Sequence, residues 1–169
     1  TMTVEENNFT FVGSTPGIRT IGISSLQTGN SNKTIRRNTF NGLDIGNEAA
    51  GNNGNELTGA GLTYECNFNS NNKEFDFLIC DSGPFTQDDI RVNQNALLNG
   101  DVVASGNQFS NTGTPEDRDF SNQGGNPLNY FHRMNGGITE VPDEFSGITQ
   151  LSPSDENSCP QSYCEGDCG

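Results

Sequence analysis

The side chains able to do chemistry in this chain are acids, five cysteines and a single histidine. Glycoside hydrolysis needs two carboxylates flanking one bond at ~5–10 Å. The closely spaced acids Glu5/Glu6, Asp88/Asp89, Asp117/Asp119 and Asp143/Glu144 are therefore the first candidates. Neighbours on a strand point to opposite faces, so sequence-adjacent acids make poor dyads. With 22 acids in the chain, such pairs also arise by chance. No catalytic residue is assigned on this basis. Asp88 and Asp89 are better candidates for calcium, which takes hard oxygen ligands. No EF-hand loop surrounds them, and calcium is the only cofactor these residues suggest. His132 lies in an apolar stretch without a Ser or Cys beside it that would suggest a triad. It reads as a structural or surface residue.

Cys66, Cys80, Cys159, Cys164 and Cys168 lack the paired C-x2-C spacing of a zinc site, and one histidine cannot complete one. Disulfides in an oxidising compartment are the simpler expectation, which places the chain outside the cell or on its surface. An odd count leaves one thiol unpaired or links it to another chain. Arg36-Arg37 is a small basic spot within a strand pattern. Strand alternation would turn one outward and the other toward the core or an edge, with a salt bridge to an acid of a neighbouring repeat.

Composition narrows the partners. The net charge is -14, from eight Lys plus Arg against 22 Asp plus Glu. Phosphate backbones and anionic lipid surfaces repel such a chain, so no nucleic acid and no membrane surface is expected. No apolar run of about 18 residues is present, so no insertion is expected either. Thr1 opens no n-region and h-region, so the chain reads as a mature protein or an excised fragment. Only 30% of residues are apolar, and the chain contains 21 Gly and 24 Asn. Either disorder or a fold of many tight turns around a thin core fits this balance. The 11 Phe and the regular spacing of Ile, Leu and Val favour the fold.

That regularity is a repeat. Val4 to Phe9, Ile35 to Phe40 and Ala104 to Phe109 share the pattern apolar-x-x-Asn-x-Phe, and Tyr64 to Asn69 keeps the Asn with its Phe shifted by one. The four asparagines are Asn7, Asn38, Asn67 and Asn107. Their steps are two of about 30 residues and a longer one, which needs an insertion between Ser82 and Gly100. A second apolar piece comes after each of the first three Phe-type segments: Ile18, Ile21 and Ile23; then Leu43 and Ile45; then Phe75, Phe77 and Ile79. Alternation of this kind is the strand period of two. Gly, Asn and Ser clusters mark the turns between pieces. A unit of this size cannot bury its apolar side alone, but stacked units can. The repeated Asn then sits at a corner, where side-chain amides hydrogen-bond from one coil to the next as a ladder. Residues 1–112 read as the coils, 113–150 as a last coil and cap, and 151–169 as a Cys-rich tail or linker. Within the second of these, 113–125 reads as a loop.

The Asn-x-Phe corners and the Tyr64-Glu65-Cys66-Asn67 segment resemble right-handed parallel β-helix repeats of the pectate-lyase-like superfamily. More closely, they resemble the non-enzymatic β-helix regions of secreted and surface proteins of Bacteroidetes-type bacteria. The resemblance covers residues 1–112 and, more loosely, 113–160. It implies an all-β parallel solenoid serving as a structural or adhesive module, exported by a type IX route. Such a module binds a glycan or a partner protein, assembles with itself, or forms part of a larger chain. Polygalacturonase-like members carry Asn-Thr-Asp, Asp-Asp and Arg-Ile-Lys motifs, and Asp88-Asp89 is the only echo here. The competing expectation is a lyase or hydrolase acting on acidic polysaccharide.

Overall fold

The computed structural model describes residues 1–13, 17–55, 57–80, 90–110, 118–124, 126–152 and 154–159. Regular structure among them is almost entirely β. The strands run β1 (Met2–Glu5), β2 (Asn8–Thr10), β3 (Ile21–Leu26), β4 (Lys33–Arg36), β5 (Thr39–Asn41) and β6 (Ile45–Ala50). Then come β7 (Gly54–Asn55), β8 (Ala60–Glu65), β9 (Phe68–Ser70), β10 (Phe75–Cys80), β11 (Asn93–Gln94) and β12 (Ala96–Leu98). The remainder are β13 (Asp101–Val103), β14 (Arg118–Asn122), β15 (Leu128–Phe131), β16 (Phe145–Ser146) and β17 (Ile148–Leu151), with a 3-10 turn at Ile138–Glu140. No helix among the described residues is long and apolar enough to cross a membrane.

The sheets are mostly parallel and join strands from successive repeats. β1, β4 and β8 pair with Val4, Ile35 and Tyr64 in one row. β2, β5 and β9 pair with Phe9, Phe40 and Asn69 in one row. β3, β6, β10, β14 and β16 form the longest sheet, with the row Ile23, Asn47, Phe77, Phe120 and Phe145. β11, β15 and β17 form a fourth sheet. Gln94 ties it to β8, since its Oε1 accepts the Tyr64 N–H at 3.1 Å and its Nε2 donates to the Leu62 carbonyl at 3.1 Å. Parallel ladders leave strands buried on both faces, and the core is correspondingly continuous. Tyr64, Phe77, Phe109, Phe120 and Tyr130 are all buried. Their rings meet at centroid distances of 5.0 Å for Tyr64–Phe77 and 5.4 Å for Phe77–Phe120, within the range where aromatic pairs add to simple burial.

The structure refines some expectations and changes others. The longer Asn67-to-Asn107 step is filled at least in part by an antiparallel hairpin, β12–β13, which interrupts the chain between Gln94 and Ala104. The stretch 113–125 is not all loop: β14 lies inside it and pairs with β10, because Phe120 fills the row above Phe77. Ile18 is exposed and precedes β3. In the third repeat Phe68 points outward, 45% exposed, while Asn69 takes the buried place that Phe40 holds one strand below. Residues 154–159 pack on the body of the fold, where the Ala104 N–H donates to the Glu156 carbonyl at 3.1 Å and the Met134 N–H to the Ser154 carbonyl at 3.0 Å.

Candidate functional site

The site is built on a corner. The four segments with the repeated Asn each turn sharply just before it. Glu6, Arg37, Cys66 and Gly106 occupy that position with φ of 61°, 55°, 55° and 69°. A left-handed residue costs roughly 1–2 kcal/mol when it is not Gly, so the corner depends on the asparagine next to it. The Asn38 Oδ1 accepts from the Asn7 N–H at 3.0 Å and from the Asn7 Nδ2 at 3.0 Å. Asn67 Oδ1 does the same for the Asn38 N–H and Nδ2, at 3.1 and 3.2 Å. Asn107 Oδ1 repeats this for Asn67, at 2.9 and 3.1 Å. Each inner amide also donates backward, from Asn67 to the Ile35 carbonyl at 2.8 Å and from Asn107 to the Tyr64 carbonyl at 2.8 Å. Asn38, Asn67 and Asn107 are buried, and their amides are consumed in this network. They form a floor.

Above that floor lies a groove of about 560 Å³ that crosses four successive repeats. One wall is the left-handed column. Arg37 stands 3.4 Å from Glu6, so the two charges offset each other. Cys66 is joined to Cys159 in a disulfide whose Cα atoms lie 5.5 Å apart. Gly106 completes the wall for a steric reason: a Cβ there would come 2.1 Å from the Cys159 sulfur. The other wall is the outward row of β2, β5 and β9, extended by a bridge from Phe68 to Gln108. It presents Asn8, Thr39, the exposed Phe68 ring and Gln108. The Gln108 side-chain amide makes no hydrogen bond among the described residues, while its backbone is fixed to Asn67 and Asn69 at 2.8 and 3.0 Å.

The other sequence candidates are scattered. Glu5 and Glu6 face Arg36 and Arg37 at 3.5 and 3.4 Å. Both arginine side chains are only partly exposed, 30% and 25%, and each lies against an acid of the preceding repeat; the left-handed turn at Arg37 breaks the strand alternation there. Asp143 is exposed, and its backbone N–H donates to Asp119 at 2.8 Å. His132 is half-buried, with its Nδ1 2.9 Å from the Arg133 carbonyl. Cys80 is partly buried and outside the disulfide, 3.7 Å from Glu48. Asp88, Asp89, Asp117, Cys164 and Cys168 lie outside the described residues. Among the described residues, no group of three or more His, Cys, Asp or Glu could hold a metal.

The sequence reading missed a buried carboxylate pair. Asp76 on β10 and Asp119 on β14 lie between the register partners Phe75–Arg118 and Phe77–Phe120, and both are almost fully buried. Asp76 accepts from Asn72 at 2.9 Å and from the Ser110 N–H and hydroxyl at 2.6 and 2.7 Å. Burial pushes the Asp119 carboxyl up to about 8; the Asp143 N–H opposes this, and the nearby Asp76 charge adds to it. The visible signal is an acid placed beside an inward Phe in each strand, but acids are exposed so often that the pattern says little by itself.

Comparison with protein-family models, with curated proteins and with solved structures returned no match.

Proposed function

We propose that this chain is an extracellular structural or adhesive module, built as a right-handed parallel β-helix, that holds a glycan or a partner protein and performs no turnover. The observation that carries the reading is the set of in-register parallel rows joined at one corner by the Asn7–Asn38–Asn67–Asn107 ladder. Rows of this kind, spaced by one repeat each, are what a stacked coil requires. A stack gives a rigid lateral surface on which side chains recur at strand spacing, ~4.8 Å, which suits display and adhesion. The disulfide favours an oxidising location. The buried Asp76–Asp119 pair is a poor hydrolase dyad, because neither carboxyl is open to a substrate.

The test is direct. The protein is incubated with pectic, algal and bacterial polysaccharides, with and without calcium, and new chain ends are assayed. No release above a boiled control is expected. Release would overturn the reading and make the acids Asp88 and Asp89 the first residues to replace.

A further inference from the structure

The groove over the asparagine floor carries more than a general adhesive surface. We infer that it is a binding site for a linear neutral glycan, lying across β2, β5 and β9 and clamped between Phe68 and the Cys66–Cys159 wall. The inference deepens the module reading and rests on it.

Three features set the chemistry. The first is the exposed Phe68 ring. The rows on either side of it are polar, with Thr39 below and Gln108 above. An aromatic ring flanked by amides and a hydroxyl matches a sugar ring, which has an apolar C–H face and a polar rim. Phe68 is turned outward because the third repeat carries its Phe one place early, level with Thr39, so that Asn69 takes the buried place. That shift costs core packing, since Asn69 lies where Phe40 stacks on Phe9 at 5.2 Å one strand down.

The second feature is rigidity. The floor amides are saturated by one another, so the groove does not rearrange to receive a ligand. Preorganised walls lose little entropy on binding. The hydrogen-bonding capacity left for a ligand lies on Gln108, Thr39 and the Asn8 Nδ2 along one edge, the Asn8 Oδ1 already accepting from Thr10 at 2.9 Å.

The third feature is charge. Glu6 and Arg37 cancel at one end of the groove, which leaves its lining neutral. The chain as a whole carries -14, and a polyanion approaching it is repelled over distances of about a Debye length, ~8 Å at physiological salt. Acidic polysaccharide, the substrate of the competing enzyme reading, is therefore the class least suited to this surface.

The experiment is affinity electrophoresis of the full chain through native gels containing a neutral β-glucan, a galactomannan or an arabinoxylan, with polygalacturonate and alginate as the acidic arm. The same samples are assayed for new chain ends. Retardation by at least one neutral polysaccharide is expected, with about tenfold weaker binding in Phe68→Ala and Gln108→Ala. Leu97→Ala, which removes an exposed apolar side chain on the β12–β13 hairpin outside the groove, should bind as the parent does. Thermal melting of each variant shows that it is folded. No retardation by any neutral polysaccharide overturns the inference, and so does unchanged binding of both groove variants. Stronger retardation by the acidic arm overturns the ligand class. Absence of binding without new chain ends leaves the module reading standing, whereas new chain ends defeat that reading itself.

Discussion

Replacing Asn67 by Ala tests whether the ladder holds the corner. Asn67 serves the structure in three ways: it accepts from the Asn38 N–H and amide, donates to the Ile35 carbonyl, and donates to Asn107 Oδ1. The variant leaves the buried Asn38 N–H without an acceptor, which costs about 1–3 kcal/mol. Ile35 and Asn107 each lose one bond, at about 0.5–1.5 kcal/mol apiece. The Asn38 amide keeps the Val4 and Arg36 carbonyls and adds little to the loss. The total is about 4 kcal/mol, a large part of the ~5–15 kcal/mol that a domain has in reserve. Asn7→Ala is the matched control, because Asn7 sits at the exposed end of the ladder and water replaces what it loses. Its cost should stay below about 1 kcal/mol. Urea unfolding of the two variants gives the comparison. Asn67→Asp adds a sign test, since the protonated acid keeps the acceptor and one of the two donors while the ionised form is a buried charge with no donor. Its carboxyl would be raised above the ordinary range, so the variant should be most stable at low pH and lose stability as pH rises. Equal losses for Asn67→Ala and Asn7→Ala would refute the argument that the ladder fixes the corner.

Asp119 gives the parent protein a pH dependence of the same sign. Burial pushes its carboxyl up to about 8 in the fold, against ~3.9 in the unfolded chain, so its contribution to stability is intact below the unfolded value and declines as pH rises from about 4 to 8. Thermal melting across that range should show the decline, and Asp119→Asn should flatten it; an unchanged slope would show that another group carries the dependence. Reducing the Cys66–Cys159 disulfide, whose partners are 93 residues apart, should lower stability by ~4–5 kcal/mol on the loop-entropy account, seen as a lower melting temperature with reductant. Gly106→Ala should block the same bond and release two additional thiols to a colorimetric reagent, because its Cβ would lie 2.1 Å from the Cys159 sulfur. Asn47 is fully buried on β6, and both polar atoms of its side chain lack a hydrogen-bond partner among the described residues. Asn47→Val should therefore raise stability by about 1–3 kcal/mol, and a lower melting point would show that the amide is held by something else.

The sequence exposed the periodic part of this structure and hid the exceptions. Val4, Ile35 and Tyr64 fall in one row because strand alternation and two steps of about 30 residues favour that placement. The corner was marked by Asn but not by its left-handed residue, since Glu6, Arg37 and Cys66 are not types that announce a positive φ. The one-place shift of Phe68 is visible in the sequence, but the side it faces follows only from the register, which sets it level with Thr39 and puts Asn69 level with the buried Phe40. Asp76 and Asp119 could not be paired at all, because the 43-residue step from Phe75 to its partner Arg118 departs from the 30-residue step from Ile45 to Phe75. The hairpin between Gln94 and Ala104 contributes to that offset, and no local propensity reveals how much chain a surface insertion absorbs.

The left-handed column explains why chemistry collects at this corner. A positive φ swings the side chain off the strand and away from the core, so the residue there is released from the packing that constrains its neighbours. Glu6, Arg37, Cys66 and Gly106 have nothing in common as side chains, and each is accommodated because the ladder beside it holds the turn. One position makes an ion pair with the repeat before it, another anchors residues 154–159 through a disulfide, and the last is emptied to make room for that anchor. The fold separates what must repeat from what is free to vary, one residue apart, and the groove lies on the side that is free.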